Sequence, residues 1–165
     1  MKSFRRICCF CFLLPHFIVP SDAIDTLALN ETLADGKTII SSGGTFELGF
    51  YSPDTSSKNR YLGIWYKQVS PVVVVWIANR DVPVNGTNGL LKVTDQAKLT
   101  IFNGEGTTIW STNSTRLVQK PVAQLLDSGN LVVKDAADAN PENYLWQSFD
   151  HPTDTIIYCL GLCFL

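Results

Sequence analysis

The sequence predicts an all-β fold made of three similar units around one core. A motif recurs three times, in copies that begin at Gly43, Asp95 and Asp127. Each copy has a polar turn, an alternating strand, a loop and an apolar residue followed by tryptophan. These tryptophans, Trp65, Trp110 and Trp146, lie 45 and 36 positions apart. A repeat of this length is usually one supersecondary unit that cannot bury its apolar face alone, so the copies share a core. We expect the three indoles to pack there.

Short segments rich in β-branched and aromatic residues, separated by turn residues, are typical of strands. In chain order the predicted strands are residues 38–40, 46–51, 61–66, 72–77, 90–93, 99–102, 107–110, 122–126, 131–133 and 144–146. Phe46, Leu48 and Phe50 alternate with other residues, which predicts one buried face. The run from Val72 to Trp76 is apolar throughout, so we expect it at the centre of a sheet.

Residues 1–23 are predicted to be a secretory signal peptide. A basic start is followed by a largely apolar stretch, residues 7–19, and by the small-x-small exit Ser21-Asp22-Ala23. The apolar stretch is shorter than the roughly 20 residues that a membrane-spanning helix needs. We therefore expect cleavage after Ala23 and an extracellular location.

The remaining chain lacks a basic cluster, which argues against a nucleic-acid partner. Three of the five cysteines lie in the predicted signal, and Cys159 and Cys163 lie near the C-terminus, so burial rather than disulfides is expected to hold the body together. The sequence shows no zinc spacing, EF-hand loop or phosphate-binding loop, and we expect no metal and no cofactor. Asn30, Asn85 and Asn113 each begin an Asn-x-Thr sequon in a polar stretch, which predicts N-glycosylation.

Several long motifs resemble a single family. They are Leu62-Gly63-Ile64-Trp65-Tyr66, Trp76-Ile77-Ala78-Asn79-Arg80-Asp81-Val82-Pro83, Leu126-Asp127-Ser128-Gly129-Asn130-Leu131-Val132 and Leu145-Trp146-Gln147-Ser148-Phe149-Asp150-His151-Pro152-Thr153-Asp154-Thr155. In this order they resemble the bulb-type lectin domain of plant S-domain, or S-locus-glycoprotein-like, receptor kinases. The resemblance covers residues 24–155 and implies a β-prism of three four-stranded sheets with pseudo-threefold symmetry. It also implies that the protein is located in the apoplast. Residues 156–165 depart from the family pattern and are expected to be a divergent apolar tail.

Founding members of that family bind mannose through a strand motif, Gln-x-Asp-x-Asn-x-Val-x-Tyr. Alternate residues of a strand face one way, so their polar tips can converge on one sugar. Aligned on Asn130 and Val132, this chain has Leu126, Ser128 and Lys134 at the Gln, Asp and Tyr positions. The second copy keeps only an aromatic ring, and the first shows no recognisable site. The resemblance thus implies a degenerate carbohydrate site in the third copy, formed by Asn130, Val132, Ser128, Gln124 and Asp127.

We expect a binding module rather than an enzyme. His151 is the one histidine after residue 23, and Ser148, Asp150 and Asp154 lie near it, but all four belong to one loop. Catalytic triads normally assemble from separate elements. Two functions remain open. The chain is either a module for mannose-type glycans or glycoproteins with a degenerate mannose site, or a protein-interaction ectodomain that pairs with related S-domain receptors and binds no sugar.

Overall fold

The computed structural model describes residues 24–54 and 56–152, so the predicted signal peptide and apolar tail lie outside the described residues. Thirteen strands and two short 3-10 turns occur in these ranges. All ten predicted strands overlap observed ones, which confirms the all-β class. The strands are β1 (Thr26–Ala28), β2 (Thr32–Ala34), β3 (Thr38–Ile40), β4 (Phe46–Tyr51), β5 (Asn59–Tyr66), β6 (Val74–Ile77), β7 (Val84–Asn85), β8 (Leu90–Val93), β9 (Leu99–Phe102), β10 (Thr108–Ser111), β11 (Pro121–Leu125), β12 (Leu131–Asp135) and β13 (Trp146–Gln147).

The strands form three antiparallel sheets. The first has the order β3-β4-β5-β6, with the short β7 paired to β5. The second has the order β2-β8-β9-β10, and the third has the order β1-β11-β12-β13. The sheets therefore share a four-strand pattern, and β7 is an addition that the sequence did not predict.

The N-terminal segment supplies one outer strand to every sheet. β1 pairs with β11 in the third sheet, β2 with β8 in the second, and β3 with β4 in the first. The sequence did not predict β1 or β2, because each is only three residues long and contains a single buried leucine. Their burial depends on partners far away in the chain, which a local pattern cannot show.

A matching row of inward-facing residues crosses each sheet. The rows are Ile39-Leu48-Ile64-Trp76 in the first sheet, Leu33-Leu91-Ile101-Trp110 in the second and Leu27-Ala123-Val133-Trp146 in the third. These residues belong to one core cluster, with Trp110 packed against it and partly buried. Burying a large aliphatic side chain contributes about 1.5–3 kcal/mol, so each row contributes to the stability of the shared core.

Three indoles meet where the sheets converge. Trp76, Trp110 and Trp146 make pairwise edge-on contacts, with ring centroids 6.1, 5.8 and 5.9 Å apart. The prediction that Trp65 belongs to this set is wrong, because Trp65 lies on the outer side of β5 and Trp76 of β6 takes its place. The motif beginning at Gly43 leads into β4, one strand too early, since β5 occupies the position of β9 and β12.

The valine run before Trp76 is not central. β6 is the end strand of the first sheet, and Val72 is 57% exposed in the connection before it. The prediction of a central strand is therefore wrong. Within the run Trp76 is buried in the core, and Val75 packs against the core while remaining partly exposed.

Asn79 is a buried polar residue within the motif that follows β6, and it has a structural role. This residue is only 2% exposed, and its Oδ1 accepts a hydrogen bond from the Leu62 amide at 2.8 Å. Its Nδ2 donates to the carbonyls of Arg60 and Val82. One buried carboxamide thus satisfies three backbone groups and fixes the chain beside β5, as buried polar groups require.

Candidate functional site

The predicted sugar motif belongs to the outer face of a sheet, which is the side opposite the shared core. In the third sheet, Gln124, Val132 and Gln147 form one row on this face, because they alternate with the core row. Val132 is nevertheless fully buried, while Ser128 and Asp127 are exposed at the preceding turn. The structure brings the predicted residues into one region and gives them different environments.

Asn130 is committed to bonds within the protein. It is 6% exposed, and its Nδ2 donates to Oε1 of Gln147 at 2.9 Å. Its Oδ1 accepts from the Ser148 hydroxyl at 3.1 Å and from the Phe149 amide at 3.3 Å. This carboxamide ties the turn before β12 to the 3-10 turn Ser148–Asp150, and little of its bonding capacity remains for a sugar.

The other predicted polar groups are also partly engaged. Oδ1 of Asp127 accepts the Gly43 amide, and Nε2 of Gln124 donates to Asp25 at 2.9 Å. The Ser128 hydroxyl accepts the Asn130 amide at 3.4 Å. The polar groups still open to a ligand are this exposed hydroxyl, the second oxygen of Asp127 and the side-chain carbonyl of the partly exposed Gln124. The site predicted here stays a prediction, and its geometry offers few groups to a hydroxylated ligand.

The outer face of the first sheet has different chemistry. Glu47, Tyr51, Tyr61 and Trp65 lie on one side of β4 and β5, and we call these four residues the aromatic face. All four are partly exposed. Sequence reasoning missed this cluster because its members belong to two strands, and their proximity depends on the pairing of β4 with β5. The alternation of Glu47, Tyr51, Tyr61 and Trp65 along two adjacent strands was the available signal.

Hydrogen bonds and ring contacts hold the aromatic face in place. The Trp65 indole N–H donates to Oε2 of Glu47 at 3.0 Å, and the Thr38 hydroxyl donates to Oε1 at 2.7 Å. The Tyr51 ring centroid lies 6.2 Å from that of Tyr61 and 6.2 Å from that of Trp65. Burial raises the pKa of Tyr51 to about 12, with a further contribution from Tyr61.

Strand register relates this face to the predicted mannose motif. Val132 pairs with Gln147 of β13 just before the core residue Val133. In the first sheet Gly63 pairs with Ile77 of β6 in the same way. Counting along the strands, Tyr61, Gly63 and Trp65 stand where Asn130, Val132 and Lys134 stand in the third sheet.

A cleft of about 250 Å³ opens beside the three core indoles. His151 lines it, and its imidazole stacks on Trp146 with centroids 5.4 Å apart and planes inclined by 10°. Its carbonyl accepts the Trp76 indole N–H at 3.0 Å. Ser148 is 1% exposed and its hydroxyl serves Asn130 and the Leu131 amide. These contacts give the histidine and the serine structural roles.

The three sequon asparagines, Asn30, Asn85 and Asn113, are exposed. Asn30 has a φ of 72° at a turn, Asn85 ends the edge strand β7, and Asn113 borders the indole cleft. Glycosyl transfer requires an accessible asparagine, so the structure leaves all three positions available. Among the described residues there is neither a cluster of potential metal ligands nor a helix long and apolar enough to cross a membrane.

A family profile described as D-mannose binding lectin matches residues 73–163. The chain belongs to the D-mannose binding lectin family. The matched region covers β6 to β13 and runs past residue 155, so the predicted domain end there stays a prediction. Family and fold together indicate a non-enzymatic binding module.

The relatives include plant receptor proteins. The receptor-like serine/threonine-protein kinase SD1-8 of Arabidopsis thaliana is 45% identical over 90% of this chain, which corresponds to 18% of the kinase. The S-locus-specific glycoprotein S6 of Brassica oleracea is 41% identical over 88% of the chain and 35% of that protein. The chain thus spans a minor part of the length of either relative.

Solved structures of mannose-binding lectins share the fold. A monomeric lectin from Gastrodia elata superposes with a TM-score of 0.55 and 21% identity, over 75% of this chain and 96% of that one. The snowdrop (Galanthus nivalis) agglutinin, complexed with methyl-α-D-mannoside, gives 0.52 and 18%, over 71% and 94%. At these identities the likeness establishes the fold, and it confirms the predicted β-prism.

Proposed function

We propose that this protein is an extracellular lectin-type module that binds a carbohydrate or glycoprotein and does not bind free mannose through its third unit. Family membership and the β-prism support the first part. The bonding of Asn130 supports the second part, because its carboxamide already serves Gln147, Ser148 and Phe149. A sugar competing for it would leave buried groups unpaired, at roughly 1–3 kcal/mol each.

A glycan array and calorimetry test this proposal together. We expect the secreted chain to bind at least one glycan class on the array, whereas methyl-α-mannoside gives no measurable heat. Sub-millimolar mannose binding that Asn130→Ala abolishes would show that the third site is functional. If protein that has been shown to be folded binds no glycan on the array, carbohydrate binding is contradicted altogether.

The second candidate is a protein-interaction module that pairs with related S-domain receptors. The relatives include an S-locus-specific glycoprotein and receptor kinases. The connection between β5 and β6 exposes the apolar side chains of Val69 and Val72, at 44% and 57%. A module of this kind would retain related receptor ectodomains on a column after enzymatic deglycosylation of both partners, and would leave the array blank.

Secretion is part of the proposal. The basic start, the apolar stretch and the small-residue exit before Ile24 support removal of residues 1–23. N-terminal sequencing of protein collected from the medium of plant cells should begin at Ile24 or within a few residues of it. Recovery of the intact Met1 terminus from that medium would contradict the signal assignment.

A further inference from the structure

We propose that the aromatic face of the first sheet binds a β-linked, gluco-configured saccharide, such as an oligomer of β-1,4-linked glucose or N-acetylglucosamine. This inference rests on the proposed carbohydrate-binding function and assigns it a site and a ligand class. The face is formed by Glu47, Tyr51, Tyr61 and Trp65 on β4 and β5.

Two glycines set the position of the rings. Gly49 and Gly63 pair directly across the strands at the centre of the face. A Cβ at Gly63 would stand 2.6 Å from Cε1 of Tyr51, and a Cβ at Gly49 would stand 3.1 Å from Cη2 of Trp65. Each ring therefore occupies the space that a side chain would otherwise fill. The rings lie against the sheet, where little conformational entropy remains to be lost on binding.

The face combines these rings with groups that can bind hydroxyls. Each oxygen of Glu47 accepts one hydrogen bond, from Thr38 or Trp65, and a carboxylate oxygen has room for a second. Within residues 24–54 and 56–152, the hydroxyls of Tyr51 and Tyr61 have no protein hydrogen-bond partner. A carboxylate and two phenols are thus available at the border of an apolar platform, which is the composition of a small-ligand site.

Ligand shape follows from the platform. The negative face of an aromatic ring attracts the slightly positive C–H groups of a pyranose. A gluco-configured pyranose carries its substituents equatorially and presents C–H groups on both faces, whereas the axial hydroxyl of mannose interrupts one face. An oligomer can stack one sugar ring on Trp65 and direct hydroxyls of the next ring toward the phenols of Tyr51 and Tyr61.

A cationic side chain is the competing ligand, since aromatic rings also attract cations. A cation is held best when rings face one another around it. Here Tyr51 is inclined by 42° to Tyr61 and meets Trp65 edge-on at 62°, so neither pair of neighbouring rings is face to face. This arrangement favours a stacked sugar over an enclosed cation.

Calorimetry on the full secreted chain tests the assignment, with cellotetraose, chitotetraose and mannotriose as probes. We expect one of the gluco oligomers to bind more tightly than mannotriose. Trp65→Ala should weaken that binding by about tenfold, as expected for loss of one stacking contact. Glu47→Gln and Gly63→Ala should weaken it as well, the latter by displacing the Tyr51 ring. The matched control is Phe149→Ala, which removes an exposed aromatic ring from the third unit and should change nothing.

A measurement on the unaltered chain covers the case in which Trp65→Ala fails to fold. The amide resonances of Gly49 and Gly63 should shift during titration with the gluco oligomer. Binding of another glycan on the array, without these shifts and without sensitivity to Glu47→Gln, would overturn this site and leave the proposed function standing. Displacement of the oligomer by a lysine-rich peptide, with tighter peptide binding, would overturn the choice of ligand.

Discussion

The inner faces of the three sheets are nearly interchangeable, whereas their outer faces share little. Inside, each sheet presents a row of three apolar residues that ends in an indole. Outside, the first sheet presents aromatic rings, the second has the bonded hydroxyls of Thr100 and Ser111, and the third has amides and carboxylates bonded to one another. Inner residues of different sheets contact one another, so their identities are coupled. The outer residues named here bond within their own sheet, which leaves each sheet free to hold a different ligand.

The strongest test of this contrast compares two tryptophans. Trp146→Ala should lower the free energy of unfolding by about 3–5 kcal/mol, because it leaves a cavity beside Trp76 and Trp110. Trp65→Ala should cost about 1–2 kcal/mol, since its indole is partly exposed on the outer face. Urea unfolding of both variants measures the difference. Equal losses would show that the outer face is as tightly coupled to the fold as the core.

A second comparison concerns the third unit. Asn130→Ala should lower the free energy of unfolding by about 1–3 kcal/mol, because the buried Ser148 hydroxyl and the Phe149 amide lose their shared acceptor. Asn130→Asp retains that acceptor, but it buries a charge and replaces the donor to Gln147 with an acceptor, so it should also destabilise the fold. Glycan binding should be unchanged in both variants. Loss of glycan binding at unchanged stability would mean that Asn130 contacts the ligand.

Strands whose pattern depends on neighbouring residues were predicted well, whereas strands that depend on partners far along the chain were not. β4, β8 and β9 were predicted with their observed bounds, because alternation is a property of neighbouring residues. β1 and β2 were missed, because their pairing is decided by β11 and β8 much later in the chain. The bulb-lectin resemblance supplied the prism and the threefold arrangement, which periodicity alone could only suggest.

The candidate sites show the same division. The motif comparison located Asn130 and Val132, but it could not show that one is engaged by Gln147 and the other is fully buried. The aromatic face was missed because its members belong to two strands, and their proximity depends on the pairing of Gly49 with Gly63. Similarly, the dipeptide Ile64-Trp65 matches the repeat pattern of an apolar residue followed by tryptophan. Only the register of β5 with β6 identifies Trp76 as the core indole.

A titration examines the outer face of the first sheet alone. The Tyr51 phenol should ionise near pH 12 rather than near 10.0, because burial disfavours its charged form. The unfolded chain loses this proton first as pH rises, so stability should fall between pH 10.0 and about 12. Ultraviolet absorbance titration of tyrosine measures the ionisation. Tyr51→Phe should remove the highest-pH step, and its persistence would assign that step to another tyrosine.

The smallest expected effects concern the sequons. Thr32→Ala, Thr87→Ala and Thr115→Ala each remove one sequon at an exposed threonine, and each should change the free energy of unfolding by less than about 0.5 kcal/mol. Mass spectrometry after glycosidase treatment should show converted asparagine at Asn30, Asn85 and Asn113 in the unaltered protein. Thr115→Ser is the matched control, because it keeps the sequon. A uniformly unmodified product from a plant secretory host would contradict both exposure and secretion.

The distribution of the first three strands among the three sheets has a consequence in time. Thr26 begins β1, and its partner strand β11 begins 95 residues later at Pro121. Ribosomes extend chains by about 5–20 residues per second, so the earliest strand waits on the order of 5–20 s for its neighbour. During that wait its backbone groups are available to other strands, and to those of another nascent chain. The prism can therefore close only late in synthesis. Until β11 has been made, β1 must stay unpaired in the compartment into which the N-terminus is delivered.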